Sequence, residues 1–182
     1  IDFIKFDSVT PGSGVSDLSM DAREEVAAWS QALKRNDIWF ELSWAVDIKY
    51  ADYWKQHADG WRIDWDVECY CGDEALTSWE NVARLMPKLS DWWRHSGPAG
   101  WNDLDSLNVG NGRMDGLTRD ERRTATTLWA TSAAPFYLGN DLTNLDEYGM
   151  ELLTNHEVIA VNQAGVPARP VSMSTKQQVW YA

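Results

Sequence analysis

Short apolar runs that end in a charge, each followed by an amphipathic stretch of helical period, repeat along this chain and restrict its fold more than any other feature. Phe3-Ile4-Lys5-Phe6 ends in Asp7, and a helix pattern follows with Val26, Trp29 and Leu33 on one face. Residues 38–42 form the next run and end near Glu41. Residues 50–57 read as a helix and residues 60–65 as a strand. Residues 78–93 read as a helix with Val82, Leu85, Leu89 and Trp93 near one side. After the break Gly97-Pro98-Ala99-Gly100, residues 101–105 read as a strand end with its loop. Thr118-Arg119-Asp120-Glu121 is a capping box, so a helix is expected from there through Trp129, stopping before Pro135. Residues 135–138 are expected as a strand and residues 146–153 as a closing helix.

This order predicts an α/β fold with a parallel sheet, because parallel strands need helical crossovers between them. A (β/α)₈ barrel takes about 250 residues. The 182 residues here supply about five βα units, which leaves a small open sheet or the C-terminal part of a barrel. The chain starts on Ile1 without Met or a leader pattern and is expected to be a piece of a longer one. From Ala168 onward the pattern changes and could begin a β domain. An open half barrel leaves sheet edges bare, so the isolated chain is expected to be marginally stable or to associate, with a homo-oligomer as one outcome.

Charge narrows the partners. With 16 Lys+Arg against 28 Asp+Glu the net charge is −12, which excludes the basic surface that nucleic acids and anionic membranes require. No apolar run reaches the roughly 18 residues of a membrane span. Twelve tryptophans are an excess, and indole faces stack on sugars and other flat ligands as well as filling cores. There is no glycine-rich phosphate loop. Cys69 and Cys71 are too sparse for a zinc site, His57, His95 and His156 are isolated, and no metal or other cofactor is expected. Asp115 and Asp120 read as a loop residue and a helix-start residue.

In barrels of this kind, function gathers at the C-terminal strand ends. Those ends carry Lys5 and Asp7, then Glu41, then Arg62, Asp64 and Asp66, then Asp103 and Asp105. Carboxylates brought into one cleft acquire separated pKa values, as glycoside hydrolysis requires of its nucleophile and its acid/base. Lys5 stands two residues before Asp7, on the same side of a strand, where it would keep a nearby carboxylate ionised.

At these residues the sequence resembles glycoside hydrolase family 27, the α-galactosidase or melibiase type. Phe3-Ile4-Lys5-Phe6-Asp7 resembles the family's strand ending in Lys-Tyr-Asp. Trp61-Arg62 with Asp66 is similar to its Trp-Arg-x-x-x-Asp element, and residues 97–105 to its Gly-Pro-Gly-Gly-Trp-Asn-Asp-Pro-Asp stretch. Ala133-Ala134-Pro135 with Asn140-Asp141-Leu142, and residues 158–163, match in order. The resemblance implies the last part of a catalytic (β/α)₈ barrel over residues 1–165, running into a C-terminal β-sandwich from residue 166 to 182. It implies a retaining exo-glycosidase with Asp7 as nucleophile and Asp66 as acid/base. Asp64 is the local rival, less well spaced from Arg62.

By the same resemblance Lys5, Glu41, Trp44, Arg62 and Asp105 bind substrate, Glu41 at the sugar 2-hydroxyl. The expected substrates are galactosides or arabinopyranosides, and secretion is expected from the family alone. Ser8-Val9 lacks the family's cysteine, Leu104 replaces its proline, and Glu41-Leu42-Ser43-Trp44 departs from Glu-Trp-x-x-Tyr. These departures leave β-L-arabinopyranosidase open beside α-galactosidase. The first strands of the family, with the aspartates for the 4- and 6-hydroxyls, have no counterpart here. A catalytically silent carbohydrate-binding fragment is therefore the rival from another class.

Overall fold

A computed structural model of the chain describes residues 1–9, 21–69, 75–173 and 179–182. Four strands, β1 (Phe3–Phe6), β2 (Trp39–Leu42), β3 (Gly60–Arg62) and β4 (Trp101–Asp103), form one sheet in sequence order. All neighbouring pairs are parallel. The crossovers carry α1 (Arg23–Lys34), α2 (Ala51–His57), and the consecutive α3 (Trp79–Ala83) and α4 (Leu85–Trp92). After β4 come α5 (Arg119–Thr131), α6 (Glu147–Leu153) and α7 (His156–Gln163). A short antiparallel ribbon, β5 (Arg169–Pro170) with β6 (Trp180–Tyr181), lies near the end. The parallel α/β reading therefore holds.

Alternation along each strand sorts the residues onto two faces. Phe40 and Leu42 of β2, Trp61 of β3 and Asn102 of β4 point into the helix layer and are buried, with Ile4 and Phe6 of β1 packed against that core. The other face carries Lys5, Glu41, Gly60, Arg62 and Asp103. Register places Lys5 beside Glu41, Glu41 beside Gly60, and Arg62 beside Asp103. Four of the twelve tryptophans are core: Trp54, Trp61 and Trp129 are fully enclosed and Trp92 is buried with them.

The glycine in Ala99-Gly100-Trp101 has a steric reason. Gly100 sits at φ 138°, and a Cβ there would run into the Trp61 ring. That ring donates from Nε1 to Asn102 Oδ1 at 2.9 Å, and Asn102 Nδ2 donates to the Trp92 carbonyl at 2.9 Å.

Several boundaries differ from the sequence reading. The helix expected over residues 78–93 is broken at Arg84, since Pro87 lacks an N–H and its ring opposes the carbonyl four residues back, at Ala83. Trp92 rather than Trp93 is the buried ring at its end. Residues 135–138 form one parallel bridge, Leu107 to Leu138, in place of a strand, and Pro135 can donate nothing to a ladder. The strand expected over residues 60–65 stops at Arg62, because Arg84 Nη2 draws the carbonyls of Trp65 and Asp66 into a loop at 2.9 and 3.0 Å.

Trp29 is half exposed and leans on Phe6, with ring centroids 6.2 Å apart, while Ser30 takes the buried position beside Val26. Asp115, expected in a solvated loop, is fully buried. The 146–153 helix is followed by a further one, α7. Cys69 is disulfide-bonded. Gly12, Ser13, Gly14 and Cys71 lie outside the described residues.

Candidate active site

Arg62 organises the strand ends. Its guanidinium is 2 % exposed, and burying it demands partners for its fork of donors. Nη1 donates to Asp105 Oδ1 at 2.9 Å, and Nη2 donates to Asp66 Oδ1 at 3.1 Å and to the Asp64 carbonyl at 3.2 Å. Asp105 Oδ2 accepts from the Val67 amide at 2.7 Å, and Lys5 Nζ lies 3.9 Å from Asp105 Oδ1. Asp105 is itself at φ 75°, held by its amide donating to Asp103 Oδ1 at 2.6 Å and by Trp129 Nε1 donating to its carbonyl at 3.2 Å. Lys5, Arg62, Asp66 and Asp105 thus form one continuous ionic chain, spanning β1, the β3 end and the β4 end.

Two carboxylates remain open to solvent at this rim. The Asp66 side chain is 74 % exposed while one of its oxygens rests on Arg62. Asp7 follows the end of β1, exposed, with Ser8 beside it at φ 62°. Among the described residues, Asp7 makes no hydrogen bond or ion pair, so it is not tied into the Arg62 chain. Asp64 differs: it is buried, bound by Arg84 Nε at 2.6 Å, with Lys88 Nζ 3.9 Å away. Those contacts give it a bracing role for the loop.

Glu41 and Asp103 form a buried floor beneath this rim, both 0 % exposed. Glu41 Oε2 accepts from Trp39 Nε1 at 3.0 Å and from the Tyr137 hydroxyl at 3.1 Å. Gly60 permits this, because a Cβ at that position would collide with the Glu41 carboxylate. Glu41 Oε1 and Asp103 Oδ2 are buried without a hydrogen-bond partner among the described residues.

Burial, and then repulsion from Asp103, pushes Glu41 well above the usual carboxylate range. Burial also raises Asp103, opposed by Arg62 and Lys5. The Tyr137 hydroxyl is raised as well, by burial and by the Glu41 charge. Glu41, expected at a sugar hydroxyl, is therefore enclosed in this structure. Asp103 and Tyr137 were not singled out as site residues in the sequence; the strand-end position of Asp103 was the available signal, and nothing local marks Tyr137.

Trp44 stands two residues past β2, half-buried at φ 65°, with its ring centroid 6.5 Å from that of Trp65. Among the described residues there is no group of three or more His, Cys, Asp or Glu arranged to hold a metal ion. A cavity of about 830 Å³ lies elsewhere, between α4, α5 and the chain end, lined by Met86, Leu89, Leu128 and Trp180 among others. It contains none of the strand-end residues. The chemistry favours the rim over this largely apolar cavity as the site, because the rim assembles several ionisable groups at the strand ends.

A family model described as Alpha galactosidase A matches residues 2–164. Alpha-galactosidase 2 of Arabidopsis thaliana is 31% identical over 193 residues, covering 99% of this chain and 42% of that protein. A crystal structure of a family 27 β-L-arabinopyranosidase from Geobacillus stearothermophilus in complex with arabinose aligns with a TM-score of 0.83 at 29% identity. It covers 99% of this chain and 42% of its own. Alpha-galactosidase I from Mortierella vinacea aligns at 0.73 and 29% identity, covering 99% of this chain and 48% of its own. The chain thus spans less than half the length of each of these relatives.

Proposed function

The chain belongs to the alpha galactosidase A family, the melibiase type, and from that premise we propose that it is the C-terminal part of the catalytic barrel of a retaining exo-glycoside hydrolase. Residues 1–165 would complete a (β/α)₈ domain, and residues 166–182, with the β5–β6 ribbon, would open a β-sandwich. Terminal α-D-galactosyl groups are the proposed substrate, on an oligosaccharide or polysaccharide, and the protein is proposed to be secreted and able to self-associate.

The observation that carries this reading is the pair of exposed carboxylates, Asp7 and Asp66, at the C-terminal ends of β1 and β3, flanked by the Lys5–Asp105–Arg62 chain. In the first step an Asp7 oxygen bonds to the anomeric carbon as the glycosidic bond breaks. Asp66 gives its proton to the departing oxygen, which leaves as an alcohol. In the second step Asp66, now ionised, takes a proton from water, and the water oxygen displaces Asp7. Two inversions give net retention. Arg62 orients Asp66 through the contact at 3.1 Å. Lys5 and Arg62 supply positive charge where the transition state leaves carboxylates ionised. Trp44 forms an apolar wall, and Asp105 holds Lys5 and Arg62 at the base of the cleft, with Glu41 enclosed beneath it.

β-L-Arabinopyranosidase is a second reading. It is favoured by the altered Glu41-Leu42-Ser43-Trp44 segment and by the likeness to the Geobacillus enzyme. L-Arabinopyranose has the ring stereochemistry of galactose without its hydroxymethyl group.

The test is nitrophenol release from the α-D-galactopyranoside and the β-L-arabinopyranoside, by this chain and by the longer protein proposed to contain it, with the product anomer followed by NMR. Release with retained configuration supports the reading, and the faster sugar decides between the two substrates. No release from either by the longer protein refutes it and leaves carbohydrate binding without turnover.

A further inference from the structure

The β3–α3 loop carries a tryptophan immediately before Asp66 whose ring is not spent on the core. Trp65 is 41 % exposed. A single exposed indole is ordinary, but the backbone on both sides of this one is pinned. Arg84 Nε grips Asp64 Oδ2 at 2.6 Å, and Arg84 Nη2 donates to the carbonyls of Trp65 and Asp66 at 2.9 and 3.0 Å. The Val67 amide is tied to Asp105. A loop fixed at four successive residues holds the indole at a set height beside the acid.

Trp44 backs that ring from the neighbouring strand end, with the planes inclined at 47°. Its φ of 65° is unfavourable for a bulky side chain. The strain is held by its neighbours: Ser43 N donates to the Phe6 carbonyl at 2.8 Å and Val46 N to the Arg62 carbonyl at 3.0 Å. Packing alone gives no reason to aim an indole out of the sheet at that cost, next to a second one already half in water.

We infer that Trp65, supported by Trp44, is the platform on which the leaving group of the glycoside lies, an aryl group or a second pyranose placed just beyond the bond that breaks. The inference rests on the reading of Asp66 as the acid. The group that protonates the departing oxygen must sit between the sugar and the leaving group, and Trp65 adjoins it in sequence and in space. The C–H face of a pyranose or the plane of an aryl ring matches the face of an indole, and such contacts carry no directional demand. The platform therefore selects for leaving groups with a ring and is indifferent to the bond chemistry.

The experiment compares wild type, Trp65→Ala and Trp65→Phe in the longer protein. The substrates are a nitrophenyl glycoside, a disaccharide and the glycosyl fluoride of whichever sugar is turned over. Fluoride departs without any ring to stack. The expected result is a roughly tenfold fall in kcat/KM for Trp65→Ala on the nitrophenyl glycoside and the disaccharide, carried by KM. The fluoride should be turned over within about twofold of wild type, and Trp65→Phe should recover most of the loss. An equal loss on the fluoride, or no loss on the ring-bearing substrates, overturns the platform while leaving the acid in place. If wild type hydrolyses the fluoride but Asp66→Ala slows the disaccharide no more than the fluoride, the acid assignment fails and the platform with it.

Discussion

Two buried arginines organise this molecule, and their partners differ in one respect. Arg122 on α5 reaches Asp115 Oδ2 at 3.1 Å, Asp146 Oδ1 at 2.8 Å and the Val109 carbonyl. Each carboxylate there also meets further donors: Asp115, fully buried, accepts from Asn111 N and Asn140 Nδ2, and Asp146, 35 % exposed, caps α6 through Gly149 N. Arg62 also holds two aspartates, but one of them, Asp66, is left in water at the strand ends, and Lys5 adds a further cation there. A buried ion pair is weak evidence of either stability or function by itself. Asp66, 74 % exposed on a fixed arginine, sets the Arg62 network apart from the Arg122 one.

The largest effect separating the two networks is on turnover. Asp7→Ala is expected to lower kcat on the order of 10⁴-fold, with little change in melting temperature, because Asp7 is exposed and unpaired among the described residues. A large loss of stability, or activity within about tenfold, would place Asp7 outside the chemistry. Arg122→Met is the converse. It strands Asp115 in the interior and should cost about 3–5 kcal/mol in urea unfolding, while kcat of the folded protein stays at the wild-type value. A fall in kcat without a loss of stability would give Arg122 a part in the site.

pH sharpens the contrast. Glu41 and Asp103 are raised in the folded protein, so between the ordinary carboxylate range near about 4 and their folded values the native state holds more protons than the unfolded chain. Their contribution is fully present below that range and is lost as pH rises. Asp146 is lowered, chiefly by its bond to Arg122, so its contribution is present above the ordinary range and is lost as pH falls. Glu41→Gln should flatten the decline in stability toward neutral pH. An unchanged slope in urea midpoint against pH would show that Glu41 is ionised. The smallest expected effect is at the start of α5. Thr118→Ala removes the side-chain half of the capping box and should cost about 1 kcal/mol with activity unaltered.

The parallel order of β1 to β4, the caps and the strand-end charges were legible because period, capping and chain alternation are local properties. The site was legible as positions: Lys5, Arg62, Asp66 and Asp105 do meet, and Asp64 is separated from Asp66 by contacts that spacing alone only hinted at. What escaped depends on distant parts of the chain. Asp115 reads as a loop aspartate until Arg122 and Asn140 close over it. Glu41 reads as a cleft residue until Tyr137, 96 positions away, covers it. Residues 135–138 have the composition of a strand, and only the partner Leu107 shows how little of it pairs.

The central claim is the division of labour between Asp7 and Asp66, and azide rescue tests it most directly. Each is replaced by alanine in the longer protein, and a nitrophenyl glycoside is supplied with sodium azide. For Asp7→Ala, azide should occupy the vacated nucleophile position and yield the glycosyl azide of inverted anomeric configuration. For Asp66→Ala, the intermediate still forms on Asp7, and azide should yield the glycosyl azide of retained configuration. The same configuration from both variants, or rescue of neither, would contradict the assignment.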